Sequence, residues 1–249
     1  GAIVLAPTRG AQRGALGVAA PEHDIVVVDP DSGVECPRAE FDEHGRLINA
    51  TAAIGEIVRR DPNVRFEGYY RNDAAAADRM RNGWYWSGDL AYRDADGVFY
   101  FAGRHTDWIR VDAENFAAAP VERILGRHPD VAAVAVYGVA DPVTGDQVMA
   151  ALELRPGATF DPTRFERFLA EQRDLGTKWA PTFVRIVERL PTTGPDKVDR
   201  KPLRAEAWAT SDPVWWKPAR DADYRLLTDA DRAALRARFA EHGRADFAP

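Results

Sequence analysis

The chain has 249 residues, 45% of them hydrophobic and 29% charged, a composition typical of a globular protein with one large domain or two smaller ones. Its net charge of -6 argues against a nucleic-acid-binding protein, in which a basic balance would be expected. A single cysteine, Cys36, excludes an intrachain disulfide, and no apolar run reaches the ~20 residues of a membrane-spanning helix, so we expect a cytoplasmic protein.

The first hundred residues have the pattern of short strands joined by turns. The β-branched runs at residues 24–29 and 54–58 predict two strands. The alanine-rich segment 73–82 predicts a short helix. An Asp-Ala-Asp-Gly turn follows, and it predicts a hairpin between two aromatic strands at residues 84–92 and 98–102.

After Arg104 the pattern changes to alternating helices and strands. The predicted helices are 119–128, 162–173 and 228–243, and the predicted strands are 131–139, 148–154 and 183–187. Thr228, with Asp231 three residues later, is the candidate N-cap of the last helix. This alternation predicts a compact α+β domain with two or three strands covered by helices, and a domain boundary near residues 104–107.

Two charged residues flank the predicted hairpin. Asp89 ends a small-residue turn, where a carboxylate can accept two hydrogen bonds from a vicinal diol such as that of ribose. Arg104 lies across the hairpin, and its fork of donors can bind ribose oxygens and offset phosphate charge. Taken alone, Asp89 is equally well explained as a turn residue that accepts backbone hydrogen bonds, and Arg104 as a salt-bridge partner at a domain edge.

A third charged residue, Lys197, lies in a Thr/Gly/Pro-rich loop at residues 191–197. A lysine held outside regular structure can bring its ammonium to a phosphate or carboxylate oxygen on which negative charge develops. The spacing of a phosphate-binding P-loop is absent. Without the other motifs, a loop lysine is simply a solvated surface charge.

In this order, the segments resemble the adenylate-forming superfamily of acyl-CoA ligases, peptide-synthetase adenylation domains and luciferases. The matching segments are Gly55-Glu56-Ile57-Val58 with Gly68-Tyr69-Tyr70, Trp86-Ser87-Gly88-Asp89-Leu90, Gly103-Arg104-His105-Thr106-Asp107, Glu114-Asn115 with Pro120-Val121-Glu122, and Pro191-Thr192-Thr193 with Lys197-Val198-Asp199-Arg200. The resemblance extends over nearly the whole chain, and its strength lies in the order of the five matches.

Two further segments resemble one branch of this superfamily, the fatty-acid transport proteins and very-long-chain acyl-CoA synthetases. One is Asp107-Trp108-Ile109-Arg110 followed by Glu114-Asn115, and the other is Tyr224-Arg225-Leu226-Leu227-Thr228 before the last helix. The resemblance implies a fatty acid as substrate, activated by ATP to acyl-AMP with release of diphosphate and then transferred to CoA.

The resemblance also implies a fold and a set of roles. Residues 1–105 would be the end of the large, β-rich AMP-binding domain, and residues 106–249 the small, mobile α+β C-terminal domain. Asp89 would bind the ribose hydroxyls of ATP or AMP, Arg104 would reinforce ribose and phosphate binding, and Phe101 would pack beside the sugar. Lys197 would be the catalytic residue that bridges the α-phosphate and the carboxylate.

The same resemblance assigns the hinge and the CoA path. Thr106 and Asp107 would form the hinge about which the small domain turns between the two half-reactions. Ala113, Glu114 and Asn115 would line the approach of CoA. Ala113 stands where the family usually has glycine, so the resemblance implies the thioester-forming step less strongly than adenylation. Asp196 lies beside Lys197 in the sequence and lowers the positive charge that the lysine offers to a phosphate.

Two motifs of the family are absent from the sequence. One is the Ser/Thr/Gly-rich phosphate loop followed by Pro-Lys, and the other is a Tyr-Gly-x-Thr-Glu segment whose glutamate helps to hold Mg²⁺. We therefore expect no metal ligand in this chain, and we expect the chain to be a catalytically incomplete part of a longer protein.

Several alternatives stay open at this point. The acceptor of the acyl group could be a carrier protein instead of CoA, and the chain could be a non-catalytic remnant that binds a nucleotide or a partner, or an unrelated α+β binding protein. The arginines of the last helix are candidates for peripheral contact with anionic lipid, although a solvated helix face explains them as well. Acyl-chain length and oligomeric state do not follow from the sequence.

Overall fold

The computed structural model describes residues 3–7, 15–61, 79–112, 114–143, 145–193 and 198–249. The chain divides into two compact units, residues 1–106 and 107–249. Strands and helices occur in both units, and the predicted α+β class is confirmed. Among the described residues, no helix is both long and apolar enough to cross a bilayer.

Unit one is built on an antiparallel sheet that comprises seven strands in the described part of the chain. The strands are β1 (Leu5–Ala6), β2 (Ala15–Ala19), β3 (Ile25–Val28), β4 (Gly55–Arg59), β5 (Met80–Arg81), β6 (Trp84–Arg93) and β7 (Val98–Arg104). They are ordered β1-β2-β7-β6-β4-β3, and β5 pairs with β6. A four-residue helix, α1 (Ala50–Ala53), precedes β4.

Strand β3, at one edge of this sheet, is apolar on both faces. Alternate side chains of β3 contribute to two separate clusters, with Ile25 and Val27 in one and Val26 and Val28 in the other. Successive side chains of a strand point to opposite faces, so a strand buried on both sides reads as an uninterrupted apolar run. This confirms the predicted strands at residues 24–29 and 54–58.

The predicted helix at residues 73–82 is wrong at its C-terminal end, and residues 73–78 lie outside the described part of the chain. Met80–Arg81 form β5, which pairs with the start of β6 through a two-residue turn at Asn82 and Gly83. Both turn residues have positive φ, 53° and 76°. Asn-Gly is a strong signal for this type of hairpin turn, which accounts for the strand at residues 80–81.

Unit two contains a five-stranded sheet and a separate hairpin among its described residues. The hairpin is β8 (Trp108–Val111) with β9 (Glu114–Ala117), and the sheet has the order β10 (Val131–Ala140), β11 (Asp146–Leu154), β12 (Phe183–Val187), β13 (Val214–Trp216), β14 (Arg225–Leu226). The sheet thus exceeds the two or three strands expected. Its two additional strands are short, and they carry too few residues to show a strand pattern.

Four helices accompany the strands in the described part of unit two: α2 (Ala118–Leu125), α3 (Pro162–Glu171), α4 (Arg200–Glu206) and α5 (Asp229–Glu241). β11 and β12 are parallel, and the connection between them contains α3, as a parallel pair requires a crossover. A large apolar cluster includes Tyr137, Phe183, Trp208 and Phe239, so that strands and helices share one core.

The last helix begins at the predicted cap. The Thr228 hydroxyl accepts the N–H of Asp231 at 3.2 Å, and the Asp231 carboxylate accepts the N–H of Thr228 at 3.0 Å. These two bonds form a capping box. Hydrogen bonds from the Arg225 guanidinium, and then those from Thr228, hold the pKa of Asp231 well below its ordinary value.

Two of the tail arginines are engaged within unit two. Arg236 lies 5.3 Å from the ring centroid of Trp208, and its Nε donates to the carbonyl of Pro249 at 3.1 Å. Arg244 donates to the carbonyl of Asp141 at 3.1 Å. These contacts use the arginines to anchor the C-terminal segment to its own unit.

The lowered pKa of Asp231 has a consequence for stability. A carboxyl group whose pKa is lower in the folded state stabilises the fold above its unfolded pKa of about 3.9, and loses that effect as the pH falls toward the folded value. We expect Asp231→Asn to lower the free energy of unfolding by about 1 kcal/mol at pH 6, and by progressively less below about pH 4.

Urea unfolding at pH 6 and at pH 3 measures this difference. Asp229→Asn, an exposed change in the same helical turn, is the matched control and should have a much smaller effect. A loss for Asp231→Asn that is equal at both pH values would contradict the assignment.

Candidate functional site

The β6–β7 hairpin brings two of the predicted nucleotide ligands together. In the antiparallel register, Asp89 lies opposite Arg104. The Asp89 Oδ1 and Arg104 Nε atoms are 3.7 Å apart, and the two side chains are 43% and 60% exposed. Charges so accessible and so close can engage one ligand, with the carboxylate accepting from hydroxyls and the guanidinium donating to oxygens.

The backbone around Asp89 is held by neighbours other than its own carboxylate. The N–H of Asp89 donates to Ser87 Oγ at 3.1 Å, and the N–H of Gly88 donates to Glu56 Oε1 at 2.7 Å. Among the described residues, no backbone N–H donates to the Asp89 carboxylate, which lies beside Arg104. The described geometry therefore does not support the alternative in which Asp89 is only a turn residue that accepts backbone hydrogen bonds.

Phe101 lies on β7, three residues before Arg104. Its neighbours Tyr100 and Ala102 are buried, whereas Phe101 is 40% exposed. An exposed aromatic ring in an otherwise buried strand is available to pack against a ligand. Asp89, Arg104 and Phe101 thus lie on one hairpin of unit one.

The two predicted hinge residues lie where the units meet along the chain. Thr106 and Asp107 belong to a 3-10 turn, His105–Asp107, and the boundary between units falls between them. The Asp107 carboxylate is 3.1 Å from Arg204 Nη2 and 3.7 Å from Arg200 Nη1. Two ion pairs therefore connect Asp107 to α4 of its own unit.

Arg200 is the centre of this charged network, which the sequence did not reveal. Its Nη2 donates to Glu122 Oε1 at 2.6 Å, and the same oxygen accepts the N–H of Val136 at 2.8 Å. Burial works to lower the pKa of Arg200, but the charges of Glu122 and Asp107 more than offset it, and the pKa lies above its ordinary value. Glu122 and Arg200 both lie in segments that match the family, but nothing in the sequence indicates that the two side chains pair.

The predicted catalytic residue, Lys197, lies outside the described residues. The chain on either side of the segment 194–197 is held in place, since Thr192 and Val198 form an antiparallel bridge. The N–H of Asp199 donates to the carbonyl of Pro191 at 2.7 Å, and the Asp199 side chain accepts the N–H of Lys201 at the start of α4. The two ends of the lysine-containing segment are therefore close together.

The predicted CoA-path residues lie in the β8–β9 hairpin, except that Ala113 is outside the described residues. Glu114 accepts a hydrogen bond from Trp179 Nε1 at 3.1 Å, and Asn115 accepts one from Arg110 Nε at 2.8 Å. These contacts hold the hairpin and connect it to the segment before β12. Glu114 and Asn115 thus have a structural part within unit two.

A cavity of about 760 Å³ lies beside this hairpin in unit two. Its wall includes two acidic side chains, Asp112 and Glu166, and four cationic ones, Arg167, Lys178, Lys217 and Arg220. Lys178 donates to the carbonyl of Asp112 at 2.8 Å, Arg220 donates to the carbonyl of Thr177 at 2.8 Å, and Lys217 pairs with Glu166. The cavity is large enough for a small-molecule ligand, and cationic side chains outnumber acidic ones in its wall.

Metal-binding groups are a separate matter. Within the described ranges, no three His, Cys, Asp or Glu side chains converge on a position that could hold a metal ion.

The sequence profile of the AMP-binding enzyme C-terminal domain matches residues 120–197, which lie within unit two and end at Lys197. The chain therefore carries this domain and belongs to the adenylate-forming acyl-CoA ligase superfamily.

Individual relatives agree with this class. The chain is 52% identical to the steroid-22-oyl-CoA synthetase of Rhodococcus jostii, over 99% of this chain and 44% of that protein. It is 49% identical to the medium/long-chain-fatty-acid–CoA ligase FadD17 of Mycobacterium marinum, over 89% of this chain and 41% of that protein. The structure of ATP-bound MatB from Rhodopseudomonas palustris matches with a TM-score of 0.61 and 30% identity, over 77% of this chain and 35% of that one.

The chain thus spans less than half the length of the curated relatives that it matches.

The Arg200 network makes a testable contribution to unit two. Arg200→Met removes a donor to Glu122, and we expect a loss of about 1–3 kcal/mol in the free energy of unfolding, the range for a partly buried acceptor left without its charged donor. Urea unfolding measures the loss.

Lys201→Met, on an exposed position of the same helix, is the matched control and should be nearly neutral. The double variant with Glu122→Gln should lose less than the sum of the two single changes, because the partners act together. Strict additivity would contradict the network.

Proposed function

We propose that the protein containing this chain is an acyl-CoA ligase that activates an apolar carboxylic acid through acyl-AMP. In the first step, the carboxylate attacks the α-phosphorus of ATP and diphosphate leaves. In the second, the CoA thiol attacks the acyl carbon, its proton is lost, and AMP leaves. The observation that carries this proposal is the pairing of Asp89 with Arg104 on an exposed hairpin of a chain from this superfamily.

In this proposal, unit one ends the large AMP-binding domain and supplies the nucleoside contacts. Asp89 accepts hydrogen bonds from the ribose hydroxyls, Arg104 donates to ribose or phosphate oxygens, and Phe101 packs beside the sugar. The exposure of all three side chains supports these roles, because a binding group must be accessible when the ligand is absent.

Unit two supplies the catalytic lysine in this proposal. The Lys197 ammonium stabilises the negative charge that develops between carboxylate and α-phosphate in the transition state. The bridge between Thr192 and Val198 supports this role, since it fixes the chain on both sides of the segment that contains Lys197. Mg²⁺ would neutralise phosphate charge, and we expect its ligands in a part of the protein beyond this chain.

Thr106 and Asp107 would act as the hinge between the two half-reactions. The contacts of Asp107 with α4 support a rotation that begins immediately before this residue, because Asp107 would then move with unit two. Ala113, Glu114 and Asn115 would border the CoA path. The neighbouring cavity, with its rim of Lys178, Lys217 and Arg220, is suited to the phosphates of CoA.

For the acid substrate, we propose a large apolar carboxylic acid, either a fatty acid of medium to very long chain or a steroid side-chain acid. The relatives named above, which include a steroid-22-oyl-CoA synthetase and a medium/long-chain ligase, support this class. The resemblance of residues 107–115 to the very-long-chain branch supports its longer members.

A carrier protein is the second candidate acceptor, and the observation that favours it is Ala113 in place of the family's glycine. Assays with CoA and with a phosphopantetheinylated carrier separate the two acceptors. We expect transfer to CoA.

In the full-length protein that contains this sequence, we expect Lys197→Ala to slow adenylation by on the order of 10²–10³, the loss seen when one transition-state donor is removed. Transfer from supplied acyl-AMP to CoA should change far less. Diphosphate release and acyl-CoA formation measure the two steps separately.

Lys201→Ala is the matched control, since this lysine is exposed on α4 and should leave both rates unchanged. An equal loss of both half-reactions in Lys197→Ala would argue against the assigned role.

The 249-residue chain alone should not complete adenylation, because its sequence has neither the family's phosphate loop nor its magnesium-binding segment. We expect no diphosphate release above background when the isolated chain is mixed with ATP, Mg²⁺ and a fatty acid. Robust turnover under these conditions would overturn the proposal that the chain is catalytically incomplete.

A further inference from the structure

Unit one buries a carboxylate that the roles proposed above do not use. Glu56 lies in β4, and its side chain is 2% exposed. Removing a carboxylate from water is costly unless hydrogen bonds and opposite charges compensate for the lost hydration. The partners of Glu56 therefore indicate what this buried charge holds in place.

Both oxygens of Glu56 are engaged. Oε1 accepts the backbone N–H of Gly88 at 2.7 Å. Oε2 accepts from Arg81 Nη2 at 3.2 Å and lies 3.5 Å from His105 Nδ1. The three partners belong to β6, to β5 and to the turn that follows β7, so one carboxylate connects three separate segments.

Two of these partners adjoin the candidate nucleotide ligands. Gly88 immediately precedes Asp89, and His105 immediately follows Arg104. Asp89 and Arg104 themselves are register partners. Glu56 thus contacts the residue before Asp89 and the residue after Arg104. It accepts the backbone N–H of Gly88, and it lies beside the side chain of His105.

The backbone at this point needs such support. β4 pairs Glu56 with Leu90 and Val58 with Trp86, with a register shift between the two pairs, so that residues 87–89 bulge from the described ladder. Gly88 has a φ of 76°, a conformation that favours glycine. A bulge leaves backbone groups without their ladder partners, and here the Glu56 side chain accepts the Gly88 N–H instead.

We propose that Glu56 is a positioning residue for nucleotide binding. Its carboxylate fixes the bulge before Asp89 and the chain after Arg104, and so keeps both side chains placed for one ribose. This inference rests on the proposed nucleotide role of Asp89 and Arg104, and it adds a buried residue that acts through them.

The test uses Glu56→Gln in the full-length protein that contains this sequence. Glutamine keeps the size and one acceptor oxygen, but it loses the negative charge that pairs with Arg81. We expect AMP to bind on the order of tenfold more weakly by calorimetry, as for one weakened charge-assisted hydrogen bond. The KM for ATP should rise similarly, while kcat and the KM for the acid change little.

Glu35→Gln is the matched control, because Glu35 is also ion-paired in unit one, with Arg60 and Arg93. It should leave the affinity for AMP unchanged. An equal loss in Glu35→Gln and Glu56→Gln would assign the effect to general destabilisation and overturn the inference.

A double variant separates positioning from a purely structural role. If Glu56 acts through Asp89 and Arg104, Glu56→Gln should lower AMP affinity by a smaller factor once Asp89→Asn is present. Independent, additive losses would overturn the inference.

His105→Ala provides a second route if Glu56→Gln does not fold, since the His105 side chain is partly exposed and its loss should be tolerated. We expect a smaller loss of AMP affinity that disappears in the Arg104→Met background, because His105 adjoins Arg104. Unchanged affinity in His105→Ala and in any folded Glu56→Gln protein, with Asp89→Asn impaired, would overturn the role of Glu56 alone. Equal AMP affinity in the wild type and Asp89→Asn would overturn the proposed nucleotide site itself.

Discussion

The register of the β6–β7 hairpin is the constraint on which the candidate nucleotide site depends. Asp89 and Arg104 are fifteen positions apart in the chain, and backbone pairing alone places them opposite each other. Their side chains are too exposed for their mutual attraction to do so, since exposed ion pairs contribute little. A slip of one residue would turn the side chains of one strand to the other face and separate the pair.

In unit two, ion pairs instead of strand pairing bring together residues that are distant in the sequence. The segment that contains Lys197 leads directly into α4, and Arg200 on that helix is paired with Glu122. Arg204 on the same helix contacts Asp107, the first residue of the unit. The start of unit two, α2 and the end of the lysine segment are thus joined by a single set of ion pairs.

The two units share a division between supporting and binding charges. Glu56 is buried, and Arg200 is mostly buried; each has several partners within its unit. Asp89 and Arg104 are half-exposed and have few partners. Burial strengthens the electrostatic interactions of the supporting groups, which makes them suited to holding the backbone, whereas ligand-binding groups must remain accessible to solvent.

The sequence by itself determined the class of protein, the α+β fold and most of the regular elements. Apolar runs and helical spacing identify buried strands and helices, and five ordered motifs identify the superfamily. Local patterns could not predict β13 and β14, because these strands are too short to show a strand periodicity. The alanines before Asn82-Gly83 favoured a helix prediction, so the hairpin turn between β5 and β6 was missed. Only the tertiary structure decided that Glu56 supports the bulge before Asp89 and that Arg200 joins Asp107 to Glu122, because these contacts join residues 32, 93 and 78 positions apart, beyond the reach of any local pattern.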